Sequence, residues 1–234
     1  MLRNVLIVDC ETTGLDREKD RVIEIGYVLW SVEHRTMLEV YSGLLYAPEN
    51  PAEHINSIPA AALANGDAEP WLRTGRAAAT ADAFVAHQAD FDRAFAAQHI
   101  AAFDSGAAKP WICTREDFKW PKAGAGASLI ATALAHGCAV VAAHRAVNDC
   151  LLLARLLESI PDVTERLDAA LEHALLPKVR LVSLAPFEEK DVVKDNGFKW
   201  DPKRREWWRV MAAEDSKTLP FRTRAEPSER DPRP

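Results

Sequence analysis

Val5-Leu6-Ile7-Val8-Asp9-Cys10-Glu11-Thr12-Thr13-Gly14 opens with four apolar residues and closes with two carboxylates two positions apart. The apolar run reads as a buried strand. Residues i and i+2 of a strand point to the same face, so Asp9 and Glu11 project together from its end. Two unpaired carboxylates ~4 Å apart repel by roughly 4 kcal/mol at an effective dielectric of 20. A divalent cation is the simplest way to offset that repulsion.

The segments on either side of the polar loop and beyond it continue the pattern. Arg21 to Trp30 and Thr36 to Tyr46 are rich in β-branched and aromatic residues and are joined by a short polar connection. They predict an antiparallel meander begun by the first strand. Residues 52–82 are Ala-rich and read as mostly helical. Short strands are expected at Ala83 to Ala86 and Trp111 to Thr114, and helices over Gln88 to Ile100, Ser128 to His136, Arg145 to Ser159 and Thr164 to Leu176. Ser128 is placed to cap its helix and Gly137 to stop it. Strands followed by alternating helices and short strands predict an α/β sheet covered by helices.

Two further polar groups stand out. Phe84-Val85-Ala86-His87-Gln88-Ala89-Asp90-Phe91-Asp92 places carboxylates in the first turns of a helix after a strand. His144-Arg145-Ala146-Val147-Asn148-Asp149 places a histidine five residues before an aspartate. Inside one helix those two would lie ~140° apart. They converge only if His144 lies in the loop ahead of the helix and Asp149 in its early turns. A lone Asp92 reads as a surface charge and a lone His144 as a cap. Asp149 is harder to dismiss, because it falls within an apolar helix where an unpaired carboxylate is costly.

In this order and spacing the three segments resemble the motifs of the DEDDh branch of the DnaQ-like 3′–5′ exonucleases. The resemblance covers residues 1 to about 160. Asp9 and Glu11 match the D-x-E of the first motif, with Thr12-Thr13-Gly14 as its turn. Asp92 matches the second motif, and His144 and Asp149 match the H-x₄-D of the third. Residue 145 is Arg where a tyrosine branch has Tyr, and residue 88 is Gln where Asn is common. The resemblance implies an RNase H-like mixed sheet, an antiparallel meander plus parallel strands flanked by helices. It implies removal of nucleoside 5′-monophosphates from 3′ ends. Asp9, Glu11, Asp92 and Asp149 would hold two Mg²⁺ or Mn²⁺ ions, with His144 as general base. Oxygen ligands suit such hard cations, and an imidazole can take a proton near neutral pH. Thr12, Thr13, Gly14 and Leu15 are expected to bind the terminal nucleotide, the turn through backbone N–H groups and Leu15 by wedging against the last base. Trp111 and Trp120 are candidates for base stacking, though core packing suits Trp111 better.

Composition bounds the rest. The formal net charge is −6, yet residues 176–234 carry 14 Lys and Arg against 11 Asp and Glu. The acidic body needs bound cations to approach a polyanion, and the mildly basic end can add phosphate contacts. Cys10, Cys113, Cys138 and Cys150 show no paired spacing, and no signal or membrane-spanning segment is read at the N-terminus. A cytoplasmic protein with no membrane association is expected. Nucleic acid is the expected partner, DNA ahead of RNA, with a polymerase or another replication or repair protein as a further partner. The alternatives are RNA 3′-end trimming, or a polymerase-associated nucleic-acid-binding subunit.

The expected domains are an exonuclease domain over 1–175, a small α+β module over 180–211 and a disordered tail over 212–234. In the module, Pro186 to Gly197 reads as a short helix, and Phe198-Lys199-Trp200 with Glu206 to Val210 as a hairpin. This resembles a small K-D-x-x-K-x-x-G-x-x-W-D module appended to nucleic-acid enzymes. About forty residues is marginal for independent stability, which favours its tryptophans as core over base stacking.

Overall fold

Strand β1 (Asn4–Thr12) is the central strand of a five-stranded sheet of order β3-β2-β1-β4-β5. The computed structural model describes residues 1–103, 109–124, 126–140 and 144–226. β2 (Val22–Ser31) and β3 (Thr36–Leu44) complete the antiparallel meander, and β4 (Ala83–Ala86) and β5 (Trp111–Cys113) add parallel strands on the other side of β1. The mixed sheet flanked by helices is the RNase H-like architecture that the motifs implied.

The helices follow the strands. α1 (Glu53–Asn56), α2 (Ala60–Leu63) and α3 (Glu69–Thr80) precede β4. α4 (Ala89–Ala96) follows it, and α5 (Leu129–Ala135), α6 (Ala146–Glu158) and α7 (Val163–Ala174) follow β5. The Ala-rich stretch over 52–82 is therefore three helices. Ser57 adopts a left-handed φ of 57° and Pro59 precedes α2 in extended backbone, so no single helix can run through them. Ser128 caps α5 through its hydroxyl, which accepts from the N–H of Ala131 at 3.2 Å, and Gly137 follows with φ 75°.

Strand periodicity sorts β1 onto two cores. Val5 and Ile7 pack with Val28 and Trp30 of β2 and with Cys150, Leu153, Ala154 and Leu157 of α6. Leu6, Val8 and Cys10 pack on the opposite face with Ala77, Ala78, Phe95 and Ala96 of α3 and α4. Each fully buried aliphatic side chain contributes roughly 1.5–3 kcal/mol. Asp9 and Glu11 continue the Val5 and Ile7 row, so they emerge on the α6 face. Trp111 packs on Phe84 and Phe103, and Trp120 is buried with its indole N–H donating to Thr114 O at 2.7 Å. Neither is a free stacking surface. Among the described residues no helix is long and apolar enough to cross a membrane.

The chain divides into two compact units, Met1–Ala174 and Leu175–Pro234. The second holds β6 (Lys178–Ser183), α8 (Lys190–Asp195), β7 (Lys199–Asp201), β8 (Glu206–Ala212) and β9 (Thr223–Glu226). Its sheet has the order β7-β8-β6-β9. The ordered module extends past the expected limit of 211. A 3₁₀ segment spans Ala213–Thr218, and β9 pairs antiparallel with β6. Phe221 packs against the core of Leu181, Val193, Phe198 and Met211, and Glu226 pairs with Arg180, which is what holds this segment in place. The part of the expected tail over 227–234 lies outside the described residues.

Candidate active site

Asp9 and Glu11 leave β1 at the edge of the core, and Asp149 meets them from the first turn of α6. One carboxylate oxygen from each lies within 4.8 Å of the others. The register places Asp9 opposite Gly26 and Glu11 opposite Glu24, and it shifts between Glu11 and Thr12. Only one more pair, Thr12 with Val22, follows that irregularity.

α6 is held against β2 at the same level. A Cβ on Gly26 would overlap the backbone of Ala146 and Val147, so only glycine lets the helix start this close to the sheet. The Cys150 thiol donates to Gly26 O at 3.4 Å. Arg145, extended at the N-cap, donates from Nε and Nη2 to the two oxygens of Glu24 at 2.9 and 3.0 Å. Glu24 also accepts from the Ala146 N–H at 3.2 Å and the Ser42 hydroxyl at 2.8 Å. Its side chain is only 2% exposed, so the charge is enclosed and fully engaged.

His144 lies ahead of α6 and Asp149 in its first turn, the placement that convergence requires. His144 has a left-handed φ of 61° and an exposed side chain. Its backbone N–H donates to the Asp149 carboxylate, and its ring is close enough to stabilise that carboxylate's charge. A non-glycine residue in this conformation stores strain of order 1 kcal/mol.

Asp92 approaches from α4 behind the strand. It is 2% exposed, and its Oδ1 accepts from the Cys10 N–H at 3.0 Å. Gln88, at the start of α4, makes no side-chain cap. Asp90 is exposed on the helix surface.

The four acids oppose one another. Burial, then the charges of Asp92, Asp149 and Glu11, push the Asp9 carboxyl well above the usual range. Burial, then Asp149 and Glu24, raise Glu11 to about 7 against the pull of Arg145. Burial raises Asp92 to about 8, and burial also raises Asp149. Such a cluster is poised to accept compensating cations. The donors are carboxylate oxygens, which fits Mg²⁺ or Mn²⁺. Cys10 and Cys150 are nearby, and burial pushes both thiols well above their usual range.

The expected nucleotide-binding turn is more committed than its sequence suggests. The Thr13 N–H donates to Arg21 O at 3.0 Å and its hydroxyl to Asp20 at 3.0 Å. The Thr12 hydroxyl donates to Gly14 O at 2.6 Å. A Cβ on Gly14 would meet the Asp20 carboxylate. The Thr13 amide is thus not offered to a ligand, whereas Leu15 is 86% exposed.

Sequence reasoning missed three supporting residues. Glu24 was legible as the lone charge in an apolar strand. Asn56, 1% exposed, donates to Thr12 O at 3.3 Å and had no signal beyond its place in a turn. Asp20, read only as part of a polar loop, braces the Thr13 and Gly14 turn.

A mixed sheet whose central strand ends in converging carboxylates, met by an acid and an exposed imidazole at a helix start, defines a nuclease of RNase H-like fold. The chain belongs to the RNase_T exonuclease family, whose profile matches residues 6–157. A domain of unknown function, DUF8626, matches residues 182–225. Escherichia coli exonuclease I in complex with a dT13 oligonucleotide superposes with a TM-score of 0.59 at 16% identity, over 78% of this chain and 48% of that one. Exonuclease X in complex with 5′ overhanging duplex DNA gives 0.51 at 24% identity, over 71% and 99%. A 3′-exonuclease with 3′-end-specific recognition of a histone mRNA stem-loop gives 0.56 at 14% identity, over 70% and 64%. The chain thus spans about half the length of exonuclease I, and these likenesses establish the fold. No curated protein sequence matches.

Proposed function

We propose that the chain is a metal-dependent 3′–5′ exonuclease of the DEDDh type that releases nucleoside 5′-monophosphates from DNA 3′ ends. The observation that carries this reading is the convergence of Asp9, Glu11 and Asp149 beside the exposed His144. Asp9, Glu11, Asp92 and Asp149 are the residues that would hold two Mg²⁺ or Mn²⁺ ions. Such a pair, when bound, lowers the pKa of a water and offsets charge on the reacting phosphate and the leaving oxygen.

The chain's own residues do the rest. Asp9 and Glu11, fixed on one face of β1, and Asp149, fixed by α6, set the oxygen positions. His144 accepts the proton of the attacking water. The bond from phosphorus to the 3′ oxygen of the preceding nucleotide breaks, and that oxygen gains a proton as a new 3′ hydroxyl. Leu15 is the side chain exposed enough to press against the terminal base.

DNA is favoured because exonucleases I and X are described with DNA. The RNA-directed 3′-exonuclease keeps RNA as the second arm of the test. The experiment follows 5′-labelled single-stranded DNA and the matching RNA with Mg²⁺, Mn²⁺ or EDTA. A metal-dependent ladder shortening from the 3′ end is expected, faster on DNA. Cleavage that persists in EDTA, or no shortening of either strand by folded protein, would overturn the proposal.

A further inference from the structure

The β7–β8 hairpin of the second unit carries three tryptophans in three different environments. Trp207 packs against the core of Leu181, Val193, Phe198 and Met211. Trp208 lies under the Arg180 guanidinium, whose carbon is 5.0 Å from the ring centroid. Trp200 remains 45% exposed. Its register partner is Trp207, and the two rings are 5.5 Å apart at 56°, so the inner ring buttresses the outer one. β7 is an edge strand. An indole on an edge strand, backed by a second ring and not absorbed into the core, presents a π surface to solvent.

The charge around it is one-sided. Residues 199–209 hold five cations, Lys199, Lys203, Arg204, Arg205 and Arg209, against Asp201 and Glu206. Arg204 is taken up by Glu206 and Glu226. Lys199, Lys203 and Arg205 are exposed and make no ion pair among the described residues. This sits in a chain of net charge −6, whose acidic cluster repels a polyanion until cations fill it.

We propose that the β7–β8 hairpin is a single-strand nucleic-acid binding platform, with Trp200 stacking on a base and Lys203 and Arg205 of the connecting turn contacting phosphates; Lys199, paired with Trp208, belongs to the opposite face. An exposed aromatic beside spaced cations matches the repeating base and phosphate of a single strand. One indole is too little apolar area for stable seating in a lipid surface, which disfavours a membrane as the occupant. The choice of ligand rests on the nucleic-acid reading of the acidic site.

The test uses the full chain in EDTA, so binding is read without cleavage and stands apart from the ladder experiment. Anisotropy of a fluorescein-labelled 20-mer of oligothymidine gives Kd over a range of salt. Trp200→Ala is expected to weaken binding roughly 5- to 100-fold, while Trp200→Phe keeps most of the affinity. The double substitution Lys203→Gln, Arg205→Gln is expected to flatten the slope of log K against log salt by about 1.4, at roughly 0.7 per phosphate. Folding of each variant is checked by circular dichroism. Wild-type affinity and slope in both Trp200→Ala and the double variant would overturn the proposal. So would Trp200-dependent binding to anionic phospholipid vesicles with unchanged oligonucleotide affinity.

Discussion

Each carboxylate of the acidic cluster is held above its ordinary pKa by burial and by its neighbours. A carboxyl that is harder to ionise in the folded state binds its proton there at pH values where the unfolded chain has lost it. Stability is therefore lost as pH rises between the unfolded and folded values, here from about 3.8 to about 8 for Asp92 and from about 4.5 to about 7 for Glu11. The metal-free protein is expected to melt at lower temperature at pH 8 than at pH 5. Mg²⁺ or Mn²⁺ should raise Tm more at pH 8, because only the ionised cluster binds cations well. Calorimetry in EDTA and in metal at both pH values checks this; equal metal-induced shifts would count against it. His144→Ala is expected to keep its fold and its metal-induced Tm shift while losing about 10²–10⁴-fold in kcat, the usual contribution of a general base. Asp9, Glu11 and Asp149 are legible one by one, because polar residues at the end of an apolar strand or within an apolar helix are conspicuous, whereas Asp92 stands out only through the motif it completes. Glu24, a charge within an apolar strand, is the same kind of signal, but its partner Arg145 is 121 positions away, so the pair has no local signature.

Element placement depends on how closely α6 can approach β2. Gly26 leaves room for the helix backbone, and the Glu24–Arg145 pair fixes its first turn. Gly26→Ala is expected to push the start of α6 outward and to cost about 1–3 kcal/mol of stability. A displacement near 1 Å should cost on the order of 10²-fold in kcat, with a smaller change in KM, because the strand and helix acids separate. Denaturant melts and steady-state kinetics on one oligonucleotide separate the two effects. Arg145→Met strands a buried carboxylate and is expected to cost roughly 3 kcal/mol, the low end for a broken buried pair because Arg145 is partly exposed. Arg145→Lys should restore part of the stability but less of kcat, since lysine cannot bridge both oxygens. The type of these elements followed from periodicity. Their limits did not: the breaks at Ser57 and Pro59 come from backbone conformations that a general helical reading of an Ala-rich stretch passes over.

At the scale of the molecule, two units carry separate cores. The small one is stabilised by few buried side chains and by Arg180, Arg204 and Arg224 clustered on Glu206 and Glu226. It is expected to melt first and to lose stability as salt is raised, since partly exposed ion pairs are screened. A chain ending after residue 176 should retain the high-temperature transition and cleave a dinucleotide at the full-length rate; loss of that transition would show the first unit depends on the second. The sequence by itself determined the mixed α/β sheet, the strand that ends in Asp9 and Glu11, and which five polar residues are candidates for the site. Local periodicity and motif spacing carry that information along the chain. Only the tertiary structure decided that β1 and α6 meet at Gly26, that Glu24 and Arg145 close the gap, and that the Thr13 amide is already engaged. It also decided that one tryptophan of three stays exposed. The meeting at Gly26 and the Glu24–Arg145 pair are contacts between residues far apart in sequence, and such contacts exist only once the core has set the distance between strand and helix.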